Sequence, residues 1–175
     1  EQGFSYSRCS NPTNKVLEER IASLEGGTAA LSFASGMGAI FAVLMNLAEA
    51  GDEIITVPTM YGESVTLICD ILPSMGITGR IVQDPDDISA FEALINDKTR
   101  AVYIESLGNP LINIIDFKEL ARIAHQHGVP LVVDNTFATP YLFRPFEFGA
   151  YIIEYSATKY LGGHGPTVAG LAVEK

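Results

Sequence analysis

Cysteine is scarce in this 175-residue chain, basic residues are outnumbered, and no long hydrophobic run is present. The two cysteines, Cys9 and Cys69, are far apart and follow neither a C-x-x-C nor a zinc-ligand spacing. The sequence therefore suggests no disulfide framework and no metal site, and a reducing, cytoplasmic setting is expected. Lys and Arg number 11 against 21 Asp and Glu, a formal net charge of −10 with no basic stripe, which argues against a nucleic-acid surface. A single bound phosphate group stays compatible with that balance. The longest apolar stretch, around "AIFAVLM", falls far short of the roughly 20 residues a spanning helix needs, so the apolar surplus belongs to a core or a subunit interface. Neither an initiating Met nor a signal-like succession opens the chain, and "GLAVEK" ends it just after a strand-like stretch. It reads as a fragment or processed piece of a longer soluble protein.

What is present is the material of one packed domain over residues 1–175, with 47% hydrophobic and 18% charged residues. Asn11 as a cap, Pro12 at the first turn, Leu17, Ile21 and Leu24 on one face and a "GG" stop predict a first helix. "TAALSFASG" reads as a short apolar element, and "MGAIFAVLMNLAEAG" as a buried helix whose start follows Ser35-Gly36. From there strands ("DEIITVP", "TGRIV", "RAVYIES", "PLVVDN", "YIIEYS", "VAGLAVE") are interleaved with helices ("GESVTLICDILPSMG", "DDISAFEALI", "DFKELARIAHQHG"). That alternation predicts an α/β fold of three layers, αβα, around a mainly parallel sheet.

Ligands of such sheets lie beyond the carboxyl ends of the strands. The polar residues directly after apolar strand runs are Tyr61, Glu105, Asn109, Asp134 and the group Ser156 to Lys159. Singly, each is more often a turn or cap residue than a catalytic one. Ser156 and Lys159 also form S-x-x-K, the spacing of an acyl-serine enzyme, but "YLGGHGP" follows and opposes the helix that chemistry needs. No triphosphate-binding loop and no G-x-G-x-x-G fingerprint is present. "SGMGA" offers instead a small-residue turn at a helix N-terminus, where Ser35, Gly36 and Met37 can cradle a phosphate or simply permit tight packing. A phosphate cradle, a lysine amine at Lys159, an aromatic at Tyr61 and a strand-end carboxylate at Asp134 together meet the needs of pyridoxal phosphate.

The motifs "YSRCSNPT", "LEGG", "ASGMGA", "YGES", "VDNTFATPYLFRP" and "SATKYLGGHG", in this order, closely resemble the trans-sulfuration family of pyridoxal-phosphate enzymes. That family includes cystathionine γ-synthase and lyases, methionine γ-lyase and O-acetylhomoserine sulfhydrylase. The resemblance implies the large cofactor-binding domain of that fold, with Lys159 as the Schiff-base lysine and Asp134 as partner of the pyridinium nitrogen. Tyr61 would stack on the ring and move protons. Ser35, Gly36, Met37, Ser156 and Thr158 match phosphate-site positions, Asn109 matches the asparagine near the phenolic oxygen, and Glu105 falls in the same strand-end motif. Tyr6 and Arg8 match a pair that reaches the phosphate of a neighbouring subunit, which implies a homodimer or homotetramer with shared active sites. A missing C-terminal part would carry the arginine for the substrate α-carboxylate.

Within the family, "ESLGNP" and "DNTFATPYLFRPFEFGA" look most like the O-acetylhomoserine sulfhydrylase branch, while "ASGMGAI" looks equally like methionine γ-lyase. In many methionine γ-lyases a cysteine follows the "YG" pair, where this chain has Glu63. The expected reaction is γ-replacement on O-acetyl-L-homoserine by sulfide or a thiol, giving homocysteine or methionine. Methionine γ-elimination is the second reading, with cystathionine synthesis or cleavage beside it. Tyr151 and Tyr155 depart from the Asp and His common at those places in the family. A non-catalytic binding relative is the reading of another class, and retention of Lys159, Asp134 and Tyr61 together argues against it. His125, His127, His164, Cys9 and Cys69 are expected to be structural or solvated.

Overall fold

The computed structural model describes residues 3–175. Seven strands form one sheet: β1 (Ala29–Phe33), β2 (Glu53–Thr56), β3 (Thr78–Ile81), β4 (Thr99–Glu105), β5 (Leu131–Asp134), β6 (Ile152–Ser156) and β7 (Gly170–Glu174), in the spatial order β1-β7-β6-β5-β4-β2-β3. β3, β2, β4, β5 and β6 are parallel, and β7 runs antiparallel between β6 and β1. The central strands are buried on both faces, as their unbroken apolar runs require. The chain goes outward from β2 to β3 and returns past β2 to β4, so the order reverses between β2 and β4, and a crevice opens there at the carboxyl ends.

Helices cover both faces. α2 (Gly36–Leu47) lies over β6 and β7, and α3 (Gly62–Thr66) follows β2 on that same side. α1 (Pro12–Glu25), α4 (Ile88–Leu94) and α5 (Phe117–Gln126) pack on the other side, and a short α6 (Thr139–Leu142) follows β5. The expected three-layer α/β architecture is what the chain forms. α1 begins where the cap signal places it, with the Asn11 side chain accepting from the Thr13 and Asn14 N–H groups, and ends at Gly26 in the left-handed region.

Two local expectations need correction. The stripe of α1 that meets the sheet is Ile21, Ala22 and Glu25, while Leu17 and Leu24 are exposed. One apolar residue of the predicted face is therefore core, and the other two present apolar surface outward. The segment expected as one helix over "GESVTLICDILPSMG" is α3, then a π-helical turn (Leu67–Ile71), then a 3-10 turn (Leu72–Met75). Pro73 accounts for the tightening at its end, since it has no N–H to continue an α-helical ladder.

Glu25 is 2% exposed although it is an acid. It meets the side-chain nitrogen of Asn135, which also approaches the Phe143 carbonyl and the Tyr155 hydroxyl, so three acceptors compete for two N–H groups. Burial raises the Glu25 pKa from 4.5 to about 7, opposed by the Asn135 hydrogen bond and by Arg144. The folded chain thus holds this proton to higher pH than the unfolded chain. The associated stability is fully present below about pH 4.5 and is lost as pH rises to about 7, a difference on the order of 3 kcal/mol. Glu25→Gln, which keeps an oxygen acceptor for Asn135, is expected to leave the melting temperature unchanged near pH 5 and to raise it by several degrees at pH 8. Melting curves across that range check this.

Candidate active site

The carboxyl ends of β4, β5 and β6 deliver the polar residues to one place because the three strands are parallel and in register. Glu105 pairs with Asp134, and Asp134 with Glu154, so one row of the sheet carries three adjacent carboxyl groups on the face covered by α2 and α3. Beyond this row opens a cavity of about 360 Å³. Ser35, Gly36, Met37, Tyr61, Glu105, Asn109, Asp134, Ser156, Thr158 and Lys159 all line it, so the structure brings together ten residues singled out in the sequence. Tyr6 and Arg8 are exposed on the N-terminal segment and do not line the cavity of their own chain. A second groove, about 480 Å³ between α2 and the β1–β7 edge, has Glu174 as the only titratable side chain among the described residues that line it and offers no comparable chemistry.

Each wall has a local cause. Ser35 caps α2, its Oγ accepting from the Gly38 N–H at 3.0 Å, so the free N–H groups of this 12-residue helix open onto the cavity. A side chain on Gly36 would stand 2.6 Å from the Ser156 Cβ, so only glycine lets α2 abut the end of β6 this closely. Tyr61 stands at the start of α3, its N–H donating to Glu105 Oε1 at 2.6 Å while its ring stays exposed over the cavity. The Asn109 N–H donates to the Thr59 carbonyl, tying the loop after β4 to the loop after β2, and the Asn109–Pro110 peptide is cis. Gly108 is required by its neighbour, because a Cβ there would run into the Asn113 side chain.

Ser156 ends β6, and the chain then turns: the Lys159 N–H donates to the Ser156 carbonyl, and the Gly162 and Gly163 N–H groups donate to Ala157 and Lys159. Ser156 and Lys159 are on a strand end and a turn, not on one helix face, which removes the S-x-x-K acyl-serine reading. The Lys159 side chain is exposed to the cavity. Thr158 Oγ1 donates to the Ala169 carbonyl at 3.2 Å and accepts the Ala169 N–H at 3.1 Å, so the hydroxyl also pins this turn to the start of β7. His125 packs edge-on against Tyr151 at 5.4 Å, and His127 faces Glu92 at 3.8 Å; both are solvated, away from the cavity. His164 and Cys9 are exposed and do not line it either.

Asp134 is buried, and desolvation raises its pKa. The Thr136 N–H, donating to Oδ1 at 2.9 Å, acts against that rise. Glu105 is pushed from 4.5 to about 8 by desolvation and then by the nearby Asp134 charge, against the Tyr61 N–H bond. Burial, then repulsion from Asp134, carries Glu154 well above the carboxylate range. Tyr103, also buried on this face, is raised by burial and by the three carboxyl groups. Like charges this close do not all ionise, and Asp134, with the most donors, is the group best able to stay an anion.

Sequence reasoning passed over Ser106, Leu107, Thr136 and Phe137, which also line the cavity. All four lie inside the motifs "ESLGNP" and "VDNTF", so adjacency to Glu105 and Asp134 was the available signal. Ile40, a further lining residue, ends the stretch "ASGMGAI" and had the same signal, while Val168 had none.

The donor set fits pyridoxal phosphate: helix N–H groups for a dianion, a buried carboxyl at the end of β5, an exposed aromatic face and an amine on the turn after β6. The unpartnered Oε2 of Glu105 and Oγ of Ser106 are buried polar atoms at the same cavity. The sequence profile of the Cys/Met metabolism PLP-dependent enzymes matches residues 1–175. The chain is 48% identical to the homocysteine synthase of Schizosaccharomyces pombe, over 99% of this chain and 41% of that protein. It is 45% identical to the O-acetyl-L-homoserine sulfhydrylase of Leptospira meyeri (99% and 39%) and 47% identical to the L-methionine gamma-lyase of Pseudomonas putida (99% and 43%). A crystal structure from Campylobacter jejuni, assigned as an O-acetylhomoserine (thiol)-lyase and carrying an N′-pyridoxyl-lysine-5′-monophosphate, superposes with a TM-score of 0.96 at 42% identity, over 100% of this chain and 43% of that one. The chain therefore spans about two fifths of the length of the proteins it matches, and it belongs to the Cys/Met metabolism family of pyridoxal-phosphate-dependent enzymes.

Proposed function

We propose that residues 1–175 are the cofactor-binding domain of an enzyme that replaces the γ-substituent of O-acetyl-L-homoserine with sulfide or a thiol, releasing acetate and forming homocysteine or methionine. The observation that carries this reading is the convergence of Lys159, Asp134, Tyr61 and the α2 N-terminus on one cavity. Bound pyridoxal phosphate would supply an electron sink for carbanionic character at the substrate's α- and β-carbons. Lys159 Nζ is the group that would hold it covalently and, once free, take the α-proton and pass it toward the β-carbon. With the cofactor bound, Asp134 would supply a negative charge for the ring nitrogen, Asn109 would be the partner of the phenolic oxygen, and Tyr61 would offer its ring as a stacking face and its hydroxyl as a second proton carrier. Ser35, Gly36, Met37, Ser156 and Thr158 are the residues that would bind the phosphate. Glu105 orients Tyr61 through the backbone bond described above.

Tyr6 and Arg8, exposed and remote from their own cavity, are assigned to the phosphate of a neighbouring subunit in a homodimer or homotetramer. None of the described helices is long and apolar enough to cross a membrane, and a cytoplasmic setting is proposed with the metabolism. Methionine γ-elimination is the second reading, favoured by the similarity to the Pseudomonas putida lyase. The full-length protein supplied with O-acetyl-L-homoserine and sulfide is expected to form homocysteine, and with methionine alone to release little 2-oxobutanoate. Rapid 2-oxobutanoate release from methionine alone would instead establish the lyase.

A further inference from the structure

Glu154 is 0% exposed, in the middle of a sheet, with neither carboxyl oxygen meeting a conventional donor. Its position follows from register. β6 sets it beside Asp134 on β5, Glu105 stands one strand further on β4, and β7 places the uncharged Ala172 on its other side. α2, which covers this face, contributes no titratable residue. From β4 come Glu105 and the buried hydroxyl of Tyr103, and from α3 the buried Ser64; among the described residues lining the cavity the only cation, Lys159, is exposed on the turn after β6. No described salt bridge reaches Glu154.

An ionised Glu154 would therefore be a buried anion facing other carboxyl groups with neither a cation nor a backbone N–H donating to it, an unfavourable arrangement. A protonated Glu154 is satisfied at once, because its O–H has an acceptor in the neighbouring Asp134 carboxylate. Resting on the proposed role of Asp134 toward the cofactor, we propose that Glu154 is a positioning residue, a neutral carboxylic acid that donates its proton in a hydrogen bond to Asp134. The pair then carries one negative charge in place of two. The donated bond lowers the basicity of Asp134, as the Thr136 N–H does from the other side, and so keeps Asp134 an anion in a site whose burial favours its protonation. Without that donor Asp134 takes up a proton itself and ceases to be an anionic partner for a ring nitrogen.

The test uses the full-length protein stripped of cofactor, examined by infrared spectroscopy near neutral pH. On a Glu25→Gln, Glu105→Gln background, which removes the two other acids whose pKa burial raises to about 7 and about 8, the carbonyl stretch of a protonated carboxyl is expected, lost on adding Glu154→Gln and displaced on adding Asp134→Asn, where the acceptor becomes a weaker amide oxygen. Absence of the band, its persistence at full intensity in Glu154→Gln, or its indifference to Asp134→Asn would overturn the proposal. The displacement in Asp134→Asn stands by itself should the Glu154 variant fail to fold. Pyridoxal phosphate affinity is the second readout: Glu154→Gln, whose amide can still donate, is expected to bind within about threefold of the parent, and Glu154→Leu about tenfold more weakly. Equal affinity in Glu154→Leu would contradict the positioning role. The infrared result concerns Glu154 alone, so a failed cofactor assignment would show as no pyridoxal phosphate binding by the parent protein, whatever the band does.

Discussion

Replacing Lys159 with alanine is expected to abolish covalent capture of pyridoxal phosphate and to lower turnover of the full-length enzyme by at least roughly 10³-fold, while the protein still folds and still binds the cofactor weakly. The side chain is exposed to the cavity and makes no described hydrogen bond or ion pair, so its removal leaves no buried group unpaired. The turn that carries it is held by backbone bonds from Lys159, Gly162 and Gly163 and by the Thr158–Ala169 pair, none of which needs the amine. Activity falls because one group is asked both to hold the cofactor and to move the α-proton. Melting temperature, absorbance of the bound cofactor and steady-state rate distinguish this outcome from simple unfolding. Addition of a small primary amine is expected to restore part of the rate.

Asp134→Asn is expected to reduce turnover by about 10²–10³-fold, the usual consequence of deleting one preorganised charge from a reaction centre. The substitution is nearly isosteric, and the side-chain oxygen that accepts the Thr136 N–H at 2.9 Å is retained. What is lost is the anion. The loss also relieves repulsion on Glu105, whose elevated pKa owes its second largest contribution to Asp134. Stability near neutral pH is therefore expected to hold or rise slightly while the affinity for pyridoxal phosphate falls. A matched measurement of melting temperature and cofactor affinity checks both directions. A variant that loses both stability and binding would mean that the carboxylate is structural.

Much of this site could be read without coordinates, for a reason that lies in parallel sheets. A strand buried on both faces is written as an unbroken apolar run, so the first polar residue after it marks the rim, and "LVVD" marked Asp134 in that way; Lys159 stood out instead as an amine among the small and hydroxyl residues of "SATK" that follow the next strand. The phosphate cradle was visible because Ser35-Gly36 sits where a cap and a close approach are both needed. Glu154 was not visible. Within "YIIEYS" an acid reads as the solvated side of a strand, and only the addition of β7 beyond β6, with α2 above, buries it. Glu25 was hidden in the same manner, since a charged residue at the end of a helix is ordinarily solvated, and only docking on Asn135 seals it. Leu17 and Leu24 show the opposite case: helical periodicity finds an apolar face and cannot say whether this sheet or some other surface covers it. The broken helix after Tyr61 was missed because the pattern of Val65, Leu67 and Ile68 satisfies an α-helical period as well as the π-helical turn that follows α3.

The antiparallel β7 and its partner β1 lie beyond the crossover logic that orders the other strands, yet they matter to the chemistry. β7 begins where Ala169 exchanges hydrogen bonds with Thr158, so the strand that closes the sheet also fixes the turn bearing Lys159. Fold and site are joined at this point.

The central claim is that Lys159 carries pyridoxal phosphate at the cavity between the strand ends and α2. Reduction of the purified full-length protein with borohydride, followed by peptide mapping by mass spectrometry, tests it most directly. A single pyridoxyl adduct on Lys159 is the predicted result. An adduct on another lysine, or none on protein loaded with cofactor, would contradict the site and the mechanism built on it.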